Sequence, residues 1–543
     1  MSVLQAALIA LFYAFARSAF NAGLGGYVLA QPLVAGTIAG ALLGDPLRGA
    51  QIGGALNLGV LALSQLRVPV GPDIALIGYV GVPLMLLSGL RPEAPETAAL
   101  FGALVVFGVV LNFTRGMFNT VVAHWADYFA DQGNADVVAL LNVVPTQLWV
   151  ILTSFLPALF ILLFDAPTIA GIATSIPAWV QLAMNWSRDL LAALGIAMSL
   201  RLVMQGSSVA YFLLGWLSAP YLGVVQATLL GASVAIIHAF LARRRVEASA
   251  DTLIADVLPS NQAEAYAAER RLSPAELQSS FALWMFFHDA GLNFERFQNM
   301  GFAAALVPAA KRLCETASER VTLLRRNLTL FNCEWTFGAA LVGALIAIEE
   351  RRANGEAIND AEIVGAKTGA MVGLNAIGAT VMLNAVGSLL VAAGAALAER
   401  GSLIGPFIFA FAQAALVLAV GFAGFQLGYA QVRRFGDWAR ANNWLRPALF
   451  GAMRLGAFVL GGLVVALVPI SLPGAGVIQI GATQLAVQTR VLDAMLPGAL
   501  PLVATLGMGW LLRSRRASPN ALMGGCLIVA VAGAVVARAL GWV

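Results

Sequence analysis

The chain has 543 residues, 60% of them hydrophobic and 11% charged, with a net charge of +4. A soluble domain carries about 25% charged residues, so this composition, with a mean hydropathy of +0.83, excludes a soluble globular protein. The slight basic excess makes no case for nucleic acid, and apolar runs that recur over the whole length describe a multi-pass protein of the lipid bilayer rather than an anchored one.

The first body is read as residues 1–242. Apolar runs predict membrane segments near 3–20, 50–66, 74–90, 98–116, 143–164, 190–204 and 222–241. The run from Val3 to Phe20 has no basic residue before Arg17, so it reads as a retained segment and not as a cleaved signal peptide. Two stretches do not fit a span. Ala30 to Gly44 and Ile169 to Leu182 are apolar but short, and Pro32 and Pro177 interrupt them; a straight span needs about 20 residues. Both are read as re-entrant hairpins, whose irregular backbone lines a cavity or packs on protein. An ordinary tilted or interfacial helix is the plainer alternative.

Polar residues in this body stand out against apolar neighbours: Gln31, Asp45, Asn57 and Asp73. Carboxylates and amides accept or donate hydrogen bonds at defined angles, which suits sugar hydroxyls, and polar groups at membrane depth mark pathways or internal networks. The plainer reading is that Asp45 and Asp73, each following a Gly/Pro turn signal, only cap helices.

Residues 243–271 are read as a cytoplasmic linker, opening on Arg243-Arg244-Arg245 and charged throughout. The second body, 272–543, then begins with a helix signal. Ser273 caps, Pro274 suits the first helical position, Glu276 closes a capping box, and Leu272 and Leu277 make a hydrophobic staple. Leu277, Phe281, Trp284, Met285 and His288 share one face, which predicts an amphipathic helix on the membrane surface. Thr316 and Glu319 predict a second capping box, with Val321, Leu324, Leu328 and Phe331 on one face. Lys311, Arg312, Arg320, Arg325 and Arg326 cluster here and place the region in the cytoplasm. Between the two lies a polar cluster, Asn293, Glu295, Arg296 and Gln298, whose plainer reading is a solvated helix face. Glu349-Glu350-Arg351-Arg352-Ala353-Asn354-Gly355 reads as a helix end with an exposed charge network and a glycine cap.

Further apolar runs lie near 335–348, 365–397, 403–431, 450–470, 491–513 and 520–541. Gly365 to Gly394 is too long and too rich in glycine for one simple helix and predicts two shorter limbs carrying Asn375 and Asn384. Arg513, Arg515 and Arg516 mark another cytoplasmic loop. Cys314, Cys333 and Cys526 fit no CxxC spacing and read as small buried side chains. His124, His238 and His288 have no partner at metal-ligand spacing and read as structural. No nucleophile motif, P-loop or dinucleotide fingerprint is present, so no cofactor or metal is expected. The expected fold is all-α: two helical membrane bodies with re-entrant hairpins, joined by the linker.

The run Gln31-Pro32-Leu33-Val34-Ala35-Gly36, then Leu43-Gly44-Asp45, Gly53-Gly54-Ala55-Leu56-Asn57 and Pro72-Asp73, resembles the IIC subunit of the mannose/fructose/sorbose family of bacterial sugar phosphotransferase systems. Asn293-Phe294-Glu295-Arg296-Phe297-Gln298, Gly301-Phe302, Phe331-Asn332, the Glu349 to Gly355 motif and Leu496-Pro497-Gly498-Ala499-Leu500-Pro501 resemble the IID subunit. The resemblance covers nearly the whole chain, in the order IIC then IID, with the linker as the fusion point. It implies a multi-pass protein of the bacterial inner membrane, a sugar path between the halves, an elevator-like motion and a homotrimer. It also implies a cytoplasmic IIB (or IIAB) partner that phosphorylates the arriving sugar from its own histidine. Asp45, Asn57 and Asp73, beside Gln31, would face Asn293, Glu295 and Asn375. The chain departs from the family where IID proteins carry a Gly-Pro-Leu-Ala-Gly-x-Gly-Asp-Pro run. Here Val372 to Thr380 stands instead, with Ala379 at the acidic position. Asn57 also stands where mannose-type IIC tends to have Glu. The resemblance implies a permease whose phosphoryl chemistry belongs to the partner. The departures keep open a diverged protein of the same fold, no longer coupled to phosphorylation: a facilitator, a sugar sensor or a structural remnant. A generic ion-coupled transporter is a more distant alternative.

Overall fold

A computed structural model describes residues 1–21, 24–64, 73–90, 95–164, 177–203, 208–223, 230–238, 270–441, 445–468, 493–515 and 517–542, with short pieces at 168, 226–227, 240–241, 470, 477–480 and 483–486. The linker from 243 to 269 and the predicted hairpin from 169 to 176 lie outside the described residues.

The first half contributes α1 (Val3–Arg17), α2 (Pro32–Leu43), α3 (Pro46–Ser64), α4 (Ile74–Ser88), α5 (Pro95–Ala130), α6 (Ala135–Leu162), α7 (Ala178–Val203) and α8 (Ser208–Leu222). A π-helical turn, Gly25–Leu29, precedes α2, and another, Ile77–Gly81, lies inside α4. The second half contributes α9 (Pro274–Phe287), α10 (Asn299–Ala305), α11 (Val307–Leu313), α12 (Ala317–Asn327), α13 (Trp335–Ala353), α14 (Asp360–Gly378), α15 (Ser388–Glu399), α16 (Ile404–Ala441), α17 (Leu445–Leu467), α18 (Ala499–Ser514) and α19 (Pro519–Ala539). Ala103–Ala130, Ala135–Leu162, Ile404–Arg434 and Ala521–Ala539 are long and apolar enough to cross a bilayer. On α6, Leu148, Leu152, Leu156 and Phe160 are each at least half exposed. Their four-residue spacing makes one continuous apolar stripe, the face such a helix turns to lipid.

The helix starts follow the caps. Ser273 and Glu276 form the reciprocal box with Pro274 at the first position, and Thr316 and Glu319 form another. The Ser273 N–H holds the Glu276 carboxyl below its ordinary range. Three expectations about these elements are corrected. Helix α9 does not present its apolar face at a surface: Trp284 and Met285 are buried against α10 and α13. The second predicted face ends with α12 at Asn327, and Phe331 lies beyond it in a bridge to Phe297. The Glu349 to Gly355 charges are not exposed. Glu349 pairs with buried Arg326, while Glu350 accepts from the Leu272 N–H at 2.8 Å and from the Tyr429 hydroxyl. Asn354 exchanges hydrogen bonds with the Arg270 backbone at 2.8 and 2.9 Å. This motif therefore anchors the chain where the linker enters the second half. Gly355, at φ 90°, supplies the left-handed cap.

Small residues set the helix packing. Gly36 and Gly40 on α2 face Gly49 and Gly53 on α3, and a Cβ at any of them would strike opposing backbone. Two such four-residue spacings let the helices of this hairpin touch backbone to backbone. The halves also interlock. Helices α7 and α8 pack on α17, α18 and α19, and α3 packs on α15. Helix α8 is absent from the predicted segments, which leave 205–221 unassigned between 190–204 and 222–241. The Gly-rich stretch does divide into two limbs, α14 and α15, but the irregularity is a π-helical segment, Ala379–Gly387. The α-helix runs regularly through Gly369 and Gly373. Apart from one short antiparallel hairpin, β1 (Val477–Ile480) and β2 (Thr483–Ala486), the described elements are helical, as the all-α expectation has it; Val477 opposes Ala486 and Ile480 opposes Thr483.

Candidate functional site

The expected site residues fall into three places, with Asp45 apart from all of them. The first is a polar cluster where the start of α2 meets the start of α13. Pro32 at the first helical position leaves Gln31 as the residue before α2. Its side chain donates to the Gly26 carbonyl at 3.0 Å and accepts from the Asn57 amide at 3.0 Å. Asn57, fully buried on α3, also accepts from the Leu33 N–H at 3.1 Å. In the π turn beside them, the Tyr27 hydroxyl donates to the Glu334 carboxylate of the second half. Glu334 is the N-cap of α13 and also accepts from the Thr336 and Phe337 N–H groups at 3.1 and 3.0 Å. The Tyr27 ring packs edge-on against Trp335, with centroids 4.7 Å apart. Gly378 of α14 sits directly on Glu334, with no room for a Cβ. Half-buried Asn375 lies one turn earlier on the same helix. This arrangement offers amides, a phenol, a carboxylate and an aromatic ring at a seam between the halves, the mixture by which proteins hold polyhydroxy ligands.

The second place is the loop between α9 and α10, which plugs into the first half. Asn293 is fully buried and ties the loop to itself. Its amide nitrogen donates to Gly291 O and Phe297 O, both at 3.1 Å, and to Asn299 Oδ1 at 2.7 Å, while its oxygen accepts from the Arg296 N–H at 2.8 Å. That ring forces Phe297 to φ 58°, a conformation costly for any residue but glycine. Phe294 fills a slot beside Phe113 that exists because residue 116 is glycine. Glu295 has zero exposure, and its Oε2 lies 2.6 Å from His124 Nε2 on α5. Arg296 grips Asp127, one helical turn on from His124, through two bonds of 2.8 and 2.7 Å. Asn119 and Asn142 bind the carbonyls of Leu292 and Phe287 at 2.8 and 3.0 Å. The solvated helix face is not found: Asn293 and Glu295 are fully buried, and the side-chain hydrogen bonds described for them run within the loop and to α5. Both belong to a buried interface between the halves.

The third place holds Asp73. It caps α4 through the Leu76 N–H at 3.3 Å, accepts from the Tyr13 hydroxyl at 2.5 Å and forms a buried ion pair with Arg17, which also reaches Asn112 at 2.7 Å. Asp45 stands apart, exposed at the far end of α2, where it accepts from the Arg48 N–H at 3.0 Å. No described group of three or more His, Cys, Asp or Glu could hold a metal ion. An open pocket of about 260 Å³ lies elsewhere, lined by Arg270, Arg326, Arg352, Glu349 and Ser318 among others, and contains none of the expected site residues.

Comparison with known proteins now bears on these places. Residues 271–538 match the family model of the PTS system mannose/fructose/sorbose family IID component, and residues 3–239 that of the PTS system sorbose-specific IIC component. The mannose-specific EIID component of Escherichia coli K12 is 32% identical over 273 residues, covering 49% of this chain and 94% of that protein. The chain belongs to the mannose/fructose/sorbose family of PTS permeases. The fructose permease IID component of Bacillus subtilis is 33% identical over 49% of this chain and 96% of its own length. The mannose-specific EIIC component of Escherichia coli K12 is 22% identical over 38% of this chain and 78% of its own. A cryo-EM structure of the mannose transporter ManYZ with microcin E492 is 31% identical over 49% of this chain and 98% of that one, with a TM-score of 0.40. The IIC and IID modules thus occur here as one multi-pass membrane chain.

Within this IIC–IID chain the residues missed by sequence reading are Tyr27 and Glu334. Tyr27 and Glu334 each sit in an apolar run and are 307 positions apart, so no local pattern links them. His124, read from the sequence as structural, pairs with Glu295 in the interface between the halves and lies 3.8 Å from Asp127.

Proposed function

We propose that the chain is the membrane permease of a mannose-type phosphotransferase system of the bacterial inner membrane. A hexose or related sugar passes along the seam between the halves, to be phosphorylated by a cytoplasmic IIB (or IIAB) partner. The carrying observation is the polar cluster at that seam, where Gln31 and Asn57 of the IIC half meet Tyr27, bonded to Glu334 of the IID half. Gln31, Asn57 and Asn375 are the sugar-facing residues in this reading. Asp73 acts through Arg17 to hold α1 against α4. Asn293 and Glu295 keep the halves registered, and Asp45 caps α3. The bodies are taken as 1–242 and 272–543 with a tether at 243–271, assembled as homotrimers.

Uptake of labelled mannose, fructose and sorbose into vesicles tests this, with and without a phosphorylated IIB protein. Accumulation of sugar phosphate only with the partner is the expected result. Equal uptake without it would favour a facilitator, and none in either case a protein that no longer transports.

A further inference from the structure

Helix α16 carries an amide that no part of the reading above employs. Its inward stripe is Phe409, Gln413, Val417, Gly421 and Phe425, and each of these side chains that has a relative exposure is at most 1% exposed. Phe407, Phe411 and Phe422 on the other side are exposed, so Gln413 faces protein and not lipid. Neither its oxygen nor its nitrogen has a hydrogen-bond partner. A primary amide offers two donors and two acceptor sites, and leaving all of them dry inside a membrane span is costly. A leucine at this position would be cheaper for folding, so stability does not account for glutamine.

The position of Gln413 along α16 indicates what the amide meets. One turn earlier, Phe409 packs on Gly394 of α15. Three to four turns later, Gly424 and Gly428 pack on Thr336 and Ala340 of α13. Helix α16 also touches the π turn Gly25–Leu29 and α2, which carry Tyr27 and lead from Gln31. The amide therefore lies in the interior of the IID half, on the helix flanking the polar cluster of the seam. We infer that Gln413 is a substrate-binding residue, whose amide hydrogen-bonds a hydroxyl of a neutral polyhydroxy sugar at the seam. This rests on the permease reading and adds to it a residue from a helix with no other polar side chain buried in its span among the described residues.

The test uses the purified full chain. D-mannose, D-fructose and L-sorbose are titrated by calorimetry into wild type, Gln413→Leu and Gln413→Met, and thermal midpoints are measured without sugar. Both variants are expected to bind the preferred sugar about tenfold more weakly, with midpoints equal to or above wild type. Among monodeoxy analogues of that sugar, one should bind wild type and variants alike, because it lacks the hydroxyl that the amide holds. Unchanged affinity in the variants would overturn the inference while leaving the permease reading intact. Lowered midpoints in both variants would make Gln413 a structural residue, and a loss that no analogue abolishes would remove direct contact. A wild-type chain that binds none of the three sugars would fail the permease reading, and this inference with it.

Discussion

Arg296 and Asp73 show how much a buried charge depends on its partner. Arg296 is 2% exposed and holds Asp127 by both of its terminal nitrogens. Removing one member of a buried pair costs about 3–5 kcal/mol, so Arg296→Met should lower the thermal midpoint sharply, and the double variant with Asp127→Leu should recover part of the loss. Additive losses in that cycle would show that the pair is not coupled. Asp73 differs because asparagine can also cap α4. Asp73→Asn keeps the cap but leaves Arg17 facing an uncharged group. Folded yield and melting temperature should fall, with uptake falling alongside; Arg17→Met in the same chain should restore stability. Normal stability in Asp73→Asn would refute the ion pair as a structural element.

At the scale of elements, the α2–α3 hairpin is the most sensitive to added bulk. A Cβ at Gly53 would collide with the Pro32 carbonyl, which belongs to backbone and cannot rotate away. Gly53→Ala should destabilise by about 1–3 kcal/mol and shift Asn57, one turn on, away from Leu33. The readout is a lower midpoint together with weakened sugar binding; an unaffected protein would mean the helices separate freely. The junction of α14 with its π-helical segment behaves differently. Gly378 rests on Glu334 and Ala379 follows it directly, so Ala379→Asp brings a second carboxylate next to a position already facing one. That variant should weaken sugar binding, and Glu334→Gln in the same chain should reverse the effect, as measured by calorimetry.

The whole molecule is held by contacts across its halves. The plug loop, the Tyr27–Glu334 bond and the packing of α7 and α8 on α17, α18 and α19 all cross from one half to the other. Cleavage at an engineered protease site between Glu247 and Arg271 should therefore leave the halves co-purifying in detergent. Their separation would show that the tether maintains the pairing.

Class and two helix starts were legible from the residues alone, because membrane depth and helix caps act locally. A charge shortage, apolar runs of span length and the boxes at Ser273 and Thr316 need no tertiary partner to be recognised. The family motifs were legible as well, since they are contiguous. What the motifs do was not. Glu349 to Gly355 and Asn293 to Gln298 carry charges that a linear reading places in water, yet the fold buries them by supplying Arg326, His124 and Asp127 from distant positions. A carboxylate becomes affordable inside only when its counter-charge arrives with it, and that arrival is a property of packing. For the same reason the roles proposed for Glu334 and Gln413 had no mark in the sequence. Their meaning depends on which helix faces them, and only the tertiary structure decides that.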